Sequence, residues 1–391
     1  MTVSFWQQPS RVLQSHALQP VDVAVVGGGI IGCAAAYWIG RARPGWRVAI
    51  LEAHTIGHGA SGRNAGFLIQ GTDTDYRTAA DRYGADAAAQ IWHFTRETRA
   101  LIEAELDPAA FDFVPSGSLT VAGTDDEDAR LQASVAPLRA IGASARYLTP
   151  TETNRRIEAQ GFRGSLLVDA GAMLHPHKLV RHIAAASGAT VLEHHRVRSV
   201  DATEKGVRLE TAHEPIVAGR VVLALGAYLP HLMPSLGRYV RPRRAQMLAT
   251  APTDGRLDLP VYSHDGEFYI RQAPDGSVLL GGARHRNKAV EVGYDDTTTA
   301  AVQADLEAYL TRHFPWASAL PIARRWSGTM GFSPDGLPVV GALPRGAGYW
   351  ATGFTGHGMS FGFRFGRLLA DLVVGTTSLS AEPLFAASRF H

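Results

Sequence analysis

Gly27, Gly29 and Gly32 stand in the pattern Gly-x-Gly-x-x-Gly directly after an apolar run at 23–26. In this spacing the first glycine permits a tight turn. The second lets a pyrophosphate approach the backbone, and the third lets a helix pack closely on the preceding strand. The helix expected over 30–41 would aim free N–H groups, beginning at Ile30 and Ile31, and the positive end of its dipole at that phosphate. A second strand, 47–52, ends in Glu52, 20 residues after Gly32. A carboxylate there accepts hydrogen bonds from ribose hydroxyls and disfavours a 2′-phosphate. Both context tests favour a dinucleotide site over an ordinary βαβ unit with a solvated Glu.

Two further glycine-rich stretches suit a backbone pressed against a ligand. One is Gly57-His58-Gly59-Ala60-Ser61-Gly62-Arg63-Asn64-Ala65-Gly66-Phe67, where Ser61 is placed to cap a short helix starting at Gly62. The other is Gly353-Phe354-Thr355-Gly356-His357-Gly358-Met359-Ser360, followed by a helix over 361–374. The His175-Pro176-His177 spacing is a natural helix start. No third ligand lies at a suitable position, so no metal site is expected. Cys33, the single cysteine, excludes an intramolecular disulfide framework and reads as a small buried hydrophobe in the first helix.

These segments need a frame. The chain has 391 residues, 46% hydrophobic and 19% charged, with a net charge of +2. That allows a large core in two domains, gives no strong field for nucleic acid, and contains no run long enough to span a membrane. The start of the chain lacks a secretory signal, and a reducing cytoplasm is the simplest location. Residues 1–20 read as an arm. Strands are expected at 113–121, 166–169 and 220–227, and helices at 87–106, 131–141, 179–186 and 306–314. Short strands at 191–193, 197–200 and 207–209 read as a three-stranded piece covering one face of the nucleotide sheet. Strands at 246–251, 260–264, 267–272 and 277–282, with Asp265-Gly266 and Asp275-Gly276 at turns, form a β-rich insert. The expected fold is α/β: a Rossmann-type, glutathione-reductase-like dinucleotide domain (1–79, 160–238, 325–391) interleaved with a β-rich α+β substrate domain (80–159, 239–324).

The three glycine stretches together resemble the FAD-dependent D-amino-acid oxidase, glycine oxidase and sarcosine oxidase family. Gly59–Gly66, Ser4-Phe5-Trp6 and Gly353–Gly358 are most similar to its γ-glutamylputrescine oxidase branch. The resemblance implies non-covalent FAD. Gly27, Gly29, Ile30, Ile31 and Gly32 would cradle its pyrophosphate, and Glu52 with Ala53 would hold the adenosine ribose. Ala60, Ser61, Arg63, Asn64, Ala65, Gly66 and Phe67 would follow the ribityl chain and flavin ring. Val197 would meet the adenine through its backbone, and Ala224 and Gly226 would flank the nucleotide. Gly356, His357, Gly358 and Met359 would face the flavin N1/O2 edge, where a helix N-terminus stabilises the charge of the reduced ring.

Two departures bear on the substrate. The carboxylate-clamping Arg of glycine oxidase-like enzymes falls here on Met330, and the Lys after the Gly-His-Gly of sarcosine oxidase-like enzymes falls on Ser360. Neither replaces a guanidinium, so a longer or more apolar amine, or a carboxylate held by another cation, is expected. The resemblance implies oxidation of a C–N bond: hydride to flavin N5, an imine hydrolysed to a carbonyl, and reoxidation by O2, giving H2O2, or by another acceptor. No dedicated base is required. Tyr262, His264, Tyr269, Arg271 and Met330 are the pocket candidates. Arg241, Arg243 and Arg244 read as a solvated face. The remaining readings are an NAD-dependent dehydrogenase and a flavin-bearing subunit of a larger dehydrogenase. Oligomeric state is not fixed by the sequence.

Overall fold

The computed structural model describes residues 2–7, 20–203 and 206–390. Most of the expected arm, 8–19, lies outside the described residues. The first of two eight-stranded sheets is centred on Val21–Val26. Val48–Leu51 runs parallel on one side of it and Ile216–Leu223 on the other. Thr190–Leu192 extends the parallel array, as does Gly348–Thr352, while Val339–Ala342 closes an edge antiparallel. Val23, Ala24 and Val25 are wholly buried. That explains the continuous apolar run, because both faces of the strand are covered, one by the helices carrying residues 30–39 and 361–373 and the other by Val207, Leu209, Leu229 and Tyr239. Val26 pairs with Leu51 and with Leu223. Gly27, Glu52 and Ala224 therefore emerge together at the carboxyl end of the sheet, the place where such sheets bind ligands.

The helices Ile30–Ala42 and Gly358–Val374 pack against each other with little room between them. A Cβ added at Gly366 would lie 2.3 Å from the Ala34 Cβ, so only glycine allows this approach. Ala85–Glu105 lies on the same pair, with Phe94 among Phe361, Phe365 and Phe385. The helix expected over 87–106 thus packs with the nucleotide helices rather than forming part of a separate region.

The second sheet runs Ile322–Phe332, Arg241–Pro252, Ser277–Gly282, Phe268–Gln272, Val261–Ser263, Ser118–Val121, Ser165–Val168 and Ala145–Leu148. The helix Ala300–His313 covers its apolar core. Sheet membership divides the chain differently from the expected ranges. Ser165–Val168 and Ile322–Phe332 pair here, and not with the nucleotide sheet. Of the three short strands expected as a covering layer, Thr190–Leu192 pairs beside Val48–Leu51 in the first sheet, while the Val197–Thr203 and Gly206–Thr211 hairpin pairs with Ile216–Leu223 and packs Val200, Ala202, Val207 and Leu209 in one cluster with Val21, Ala24 and Val26. The strand expected over 113–121 shortens to Ser118–Val121. The helix expected from 131 begins at Asp125, because Thr124 caps it through the Glu127 N–H and four acids fill its first turn. Among the described residues, no helix is long and apolar enough to cross a membrane.

Candidate active site

Above the carboxyl end of the first sheet lies a cleft of about 660 Å³. Gly27, Gly29, Ile30, Ile31, Glu52, Ala53, Val197, Ala224 and Gly226 all line it. Gly27 has φ +111°, and a Cβ there would sit 2.5 Å from the Ala224 carbonyl. Gly32 points away from the cleft. Its absent side chain lets the helix sit on the turn, since a Cβ would lie 2.0 Å from the Gly27 carbonyl. Neither Gly29 nor His357 caps its helix with a side chain. Both helix starts border the cleft, so two positive dipole ends meet there, with the first-turn N–H groups apart from that of Ile30, which donates to Ser61 Oγ. The Glu52 carboxylate accepts from the Gly28 and His54 N–H groups, each at 2.8 Å. Burial raises its pKa against those two hydrogen bonds, and the nearby Glu193 adds to the rise. His54 and His58 stack at 4.2 Å on the same wall. Burial pushes the pKa of His58 down to about 4, so it is neutral near pH 7. Tyr228, His231 and Tyr294 form an aromatic wall that the sequence did not single out; they join from two distant segments.

The loop after Glu52 is fastened from outside. Asn64 closes it locally, donating to the Ala60 and Ser61 carbonyls and accepting from the Gly66 N–H at 2.7 Å. Ser61 does not cap a helix at Gly62. It lies inside the short turn Ala60–Gly62, and its hydroxyl accepts from the Ile30 N–H at 3.0 Å. The Arg63 side chain lines the second cavity and is held by partners from three segments. It donates to the His58 and Ser327 carbonyls at 2.9 Å each and pairs with Asp296 at 3.0 Å. Ser4 and Trp6 also grip the loop, donating to the Gly62 and Asn64 carbonyls at 2.7 Å each.

A second cavity, of about 230 Å³, adjoins the cleft. The two share Ala60, Asn64, Met330, Gly356 and Met359 as walls. Ala65, Phe67, Tyr262, Tyr269 and His357 line only the second. Phe67 meets Tyr262 edge-on at 5.2 Å, and Tyr262 stacks on His357 at 6.2 Å. Burial raises the pKa of both tyrosines and lowers that of His357, so the phenols stay protonated and the imidazole stays neutral at pH 7. Gly66, with φ +74°, lines neither space; a Cβ there would lie 2.2 Å from the Leu174 carbonyl.

Two pocket candidates lie elsewhere. His264 lines neither space. The strand ends at Ser263, and His264 enters the turn with φ +53°. It then packs against Phe162, Phe268 and Tyr309 and shares a 3.0 Å hydrogen bond with Ser263 Oγ. Arg271 is 1% exposed beneath the glycine loop. Its Nη1 donates to the Ala65, Gly66 and Leu174 carbonyls at 3.3, 3.1 and 2.9 Å, and its guanidinium lies 5.4 Å from the Trp6 ring centre. Burial pushes its pKa down to about 9, which leaves it charged at neutral pH. Arg244 is not a solvated cation either; it is buried and paired with Glu291 at 2.8 Å. His175 starts the helix Pro176–Ala186, accepting from the Lys178 N–H. Among the described residues no cluster could hold a metal.

A dinucleotide cleft with uncapped helix ends, opening on a separate aromatic cavity, defines a nucleotide-cofactor oxidoreductase. The chain belongs to the FAD dependent oxidoreductase family, whose pattern it matches over residues 22–372. It is 28% identical over 369 residues to gamma-glutamylputrescine oxidoreductase of Escherichia coli K12, covering 90% of this chain and 84% of that protein. It is 26% identical over 367 residues to glycine oxidase of Geobacillus kaustophilus, covering 90% and 92%. The fold of that organism's crystallised glycine oxidase matches with a TM-score of 0.79 at 24% identity, covering 92% of this chain and 95% of that one. The cofactor is FAD, and the glycine cradle and the paired helix ends fit it. Binding is non-covalent. The only thiol, Cys33, is wholly buried inside the first helix, and burial raises its pKa so that it stays protonated.

Proposed function

We propose that the chain oxidises the C–N bond of a primary or secondary amine. The observation that carries this reading is the junction of the two spaces at Ala60, Asn64, Met330, Gly356 and Met359. The chemistry FAD supplies when bound is acceptance of two electrons as a hydride from the carbon bearing nitrogen, leaving an imine that water hydrolyses to a carbonyl. The protein's share is orientation and protonation state. Phe67, Tyr262 and Tyr269 give an alkyl chain a dry surface and restrict its approach to the junction. The five residues at the junction carry no charged side chain, which favours the uncharged amine there, the form with a free lone pair, because desolvation disfavours an ammonium. His357 is neutral and adds no like charge. Met330 presents a thioether where a carboxylate clamp would need a guanidinium, which argues against a carboxylate clamped at position 330.

The test is an anaerobic one. FAD-loaded protein is mixed with alkylamines, N-alkylamines, diamines and D- and L-amino acids. The expected result is loss of flavin absorbance with at least one amine and an equal quantity of carbonyl product. Bleaching by alcohols or thiols alone would overturn the reading.

A further inference from the structure

Three residues that line the aromatic cavity each carry a buried polar atom with no hydrogen-bond partner among the described residues: Gln70 Oε1, Asp73 Oδ1 and Trp92 Nε1. Gln70 is 7% exposed and Trp92 5%. Gln70 Nε2 donates to the Ala170 carbonyl at 2.9 Å. That bond fixes which way the amide points and leaves its oxygen as the free atom. Buried acceptors without partners are uncommon and call for an explanation.

Asp73 differs from the other acids on this wall. Asp75 caps the helix Tyr76–Tyr83 and pairs with Arg130 at 3.3 Å. Asp265 also pairs with Arg130. Glu127 accepts from the Gly123 N–H. Glu267 lies 3.7 Å from Lys288. Asp73 forms no ion pair among the described residues, and its charge acts on Tyr262 and His357. Arg284, which also forms no ion pair among the described residues, lies elsewhere on the wall, over the Phe332 ring at 4.9 Å. Tyr76 and Trp92, 5.9 Å apart and perpendicular, add two aromatic rings of the kind that accommodate a cation. None of Gln70, Asp73 and Trp92 borders the dinucleotide cleft.

We infer that Asp73 and Gln70 form a cation subsite that holds the second, non-reacting ammonium of an aliphatic diamine or polyamine while its other amine reaches the junction. An ammonium brings three donors to two acceptors, one of them a carboxylate, and charge-assisted hydrogen bonds are the stronger kind. Trp92 is uncharged and offers the ammonium its ring face, not its N–H, since an ammonium has no acceptor. The inference rests on the amine reading above. It adds what sets chain length and charge preference.

The experiment compares 1,5-diaminopentane with pentylamine on the FAD-loaded enzyme, by calorimetric binding and by anaerobic flavin reduction. Wild type is expected to favour the diamine by about tenfold or more in affinity, the scale of one charge-assisted hydrogen bond. Asp73→Asn should bring the ratio to within about twofold, and Gln70→Met should lower it by about threefold, as expected for one neutral acceptor. Equal affinity of wild type for the two amines, or an unchanged ratio in Asp73→Asn with normal flavin content, overturns the subsite. Flavin reduction by both amines without preference also sinks the subsite but leaves amine oxidation standing. An Asp73-dependent binding preference with no reduction supports the subsite and removes amine oxidation.

Discussion

Replacing Arg271 by Met separates a residue that braces the cofactor loop from one that touches substrate. The change removes the donors that face the Ala65 and Leu174 carbonyls, while the Gly66 carbonyl keeps the Leu174 N–H at 3.0 Å. Two buried acceptors are left without their charged donor, at about 1–3 kcal/mol each. Loss of the stacking with Trp6 adds about 1 kcal/mol. Relief of a buried guanidinium without a close carboxylate offsets several kcal/mol of this. The net destabilisation expected is therefore about 2 kcal/mol, concentrated in the loop carrying Ala65 and Gly66. If all of it reaches the holo state, FAD affinity falls about 30-fold. FAD titration by protein fluorescence measures this directly, and denaturant unfolding of the apo protein measures the rest. Wild-type FAD affinity and stability, combined with a raised KM for amine, would refute the bracing role and return Arg271 to the substrate pocket.

Glu52→Gln keeps the volume but removes the charge that would face the ribose, and FAD affinity should fall about tenfold, the cost of one charge-assisted hydrogen bond. The pH dependence has a definite sign. The folded pKa of Glu52 is raised, so in the apo protein this group destabilises as pH rises from its unfolded value through the folded one. FAD hydroxyls favour the carboxylate, so wild-type affinity should weaken as pH falls through the raised pKa. The slope should vanish in Glu52→Gln, and a slope that persists would place the titrating group elsewhere. Gly27→Ala puts a Cβ 2.5 Å from the Ala224 carbonyl at φ +111°. It should yield protein without flavin, which absorbance of the purified sample checks. Met330→Arg should raise flavin reduction by N-methylglycine relative to pentylamine by at least about tenfold, the worth of a charge-assisted pair; an unchanged ratio in anaerobic stopped flow would show that position 330 does not face the reacting carbon.

The cofactor half of the site was legible because its geometry is local. A strand, a glycine turn and a helix start lie within a dozen residues, and Glu52 follows at the end of the neighbouring strand. Parallel pairing of Val23–Val26 with Val48–Leu51 then brings Gly27 and Glu52 to one end without help from distant segments. The loop at 57–66 was recognisable by its glycines, but its fasteners were not. Arg63 turns to Asp296, and Ser4 and Trp6 arrive from the N-terminus. Nothing in a local spacing encodes these contacts.

The substrate half shows why alternation along a strand is weaker evidence than the end of a strand. Tyr262 and His264 have the same parity, yet only Tyr262 lines the cavity, because the strand stops at Ser263 and His264 takes a left-handed turn. Tyr269 and Arg271 share parity within one unbroken strand. Tyr269 meets the cavity, and Arg271, one step along, is covered by the Ala65–Gly66 backbone. Alternation gives a face, but what covers that face is set by a loop from the other half of the molecule. The same dependence hid Asp73 and Gln70. They follow the apolar run Phe67-Leu68-Ile69 and resemble ordinary loop polarity until Trp92 of the helix Ala85–Glu105 and Tyr262 of the second sheet close around them. On the proposed reading, substrate preference is set by residues that the two sheets bring together only in the folded chain.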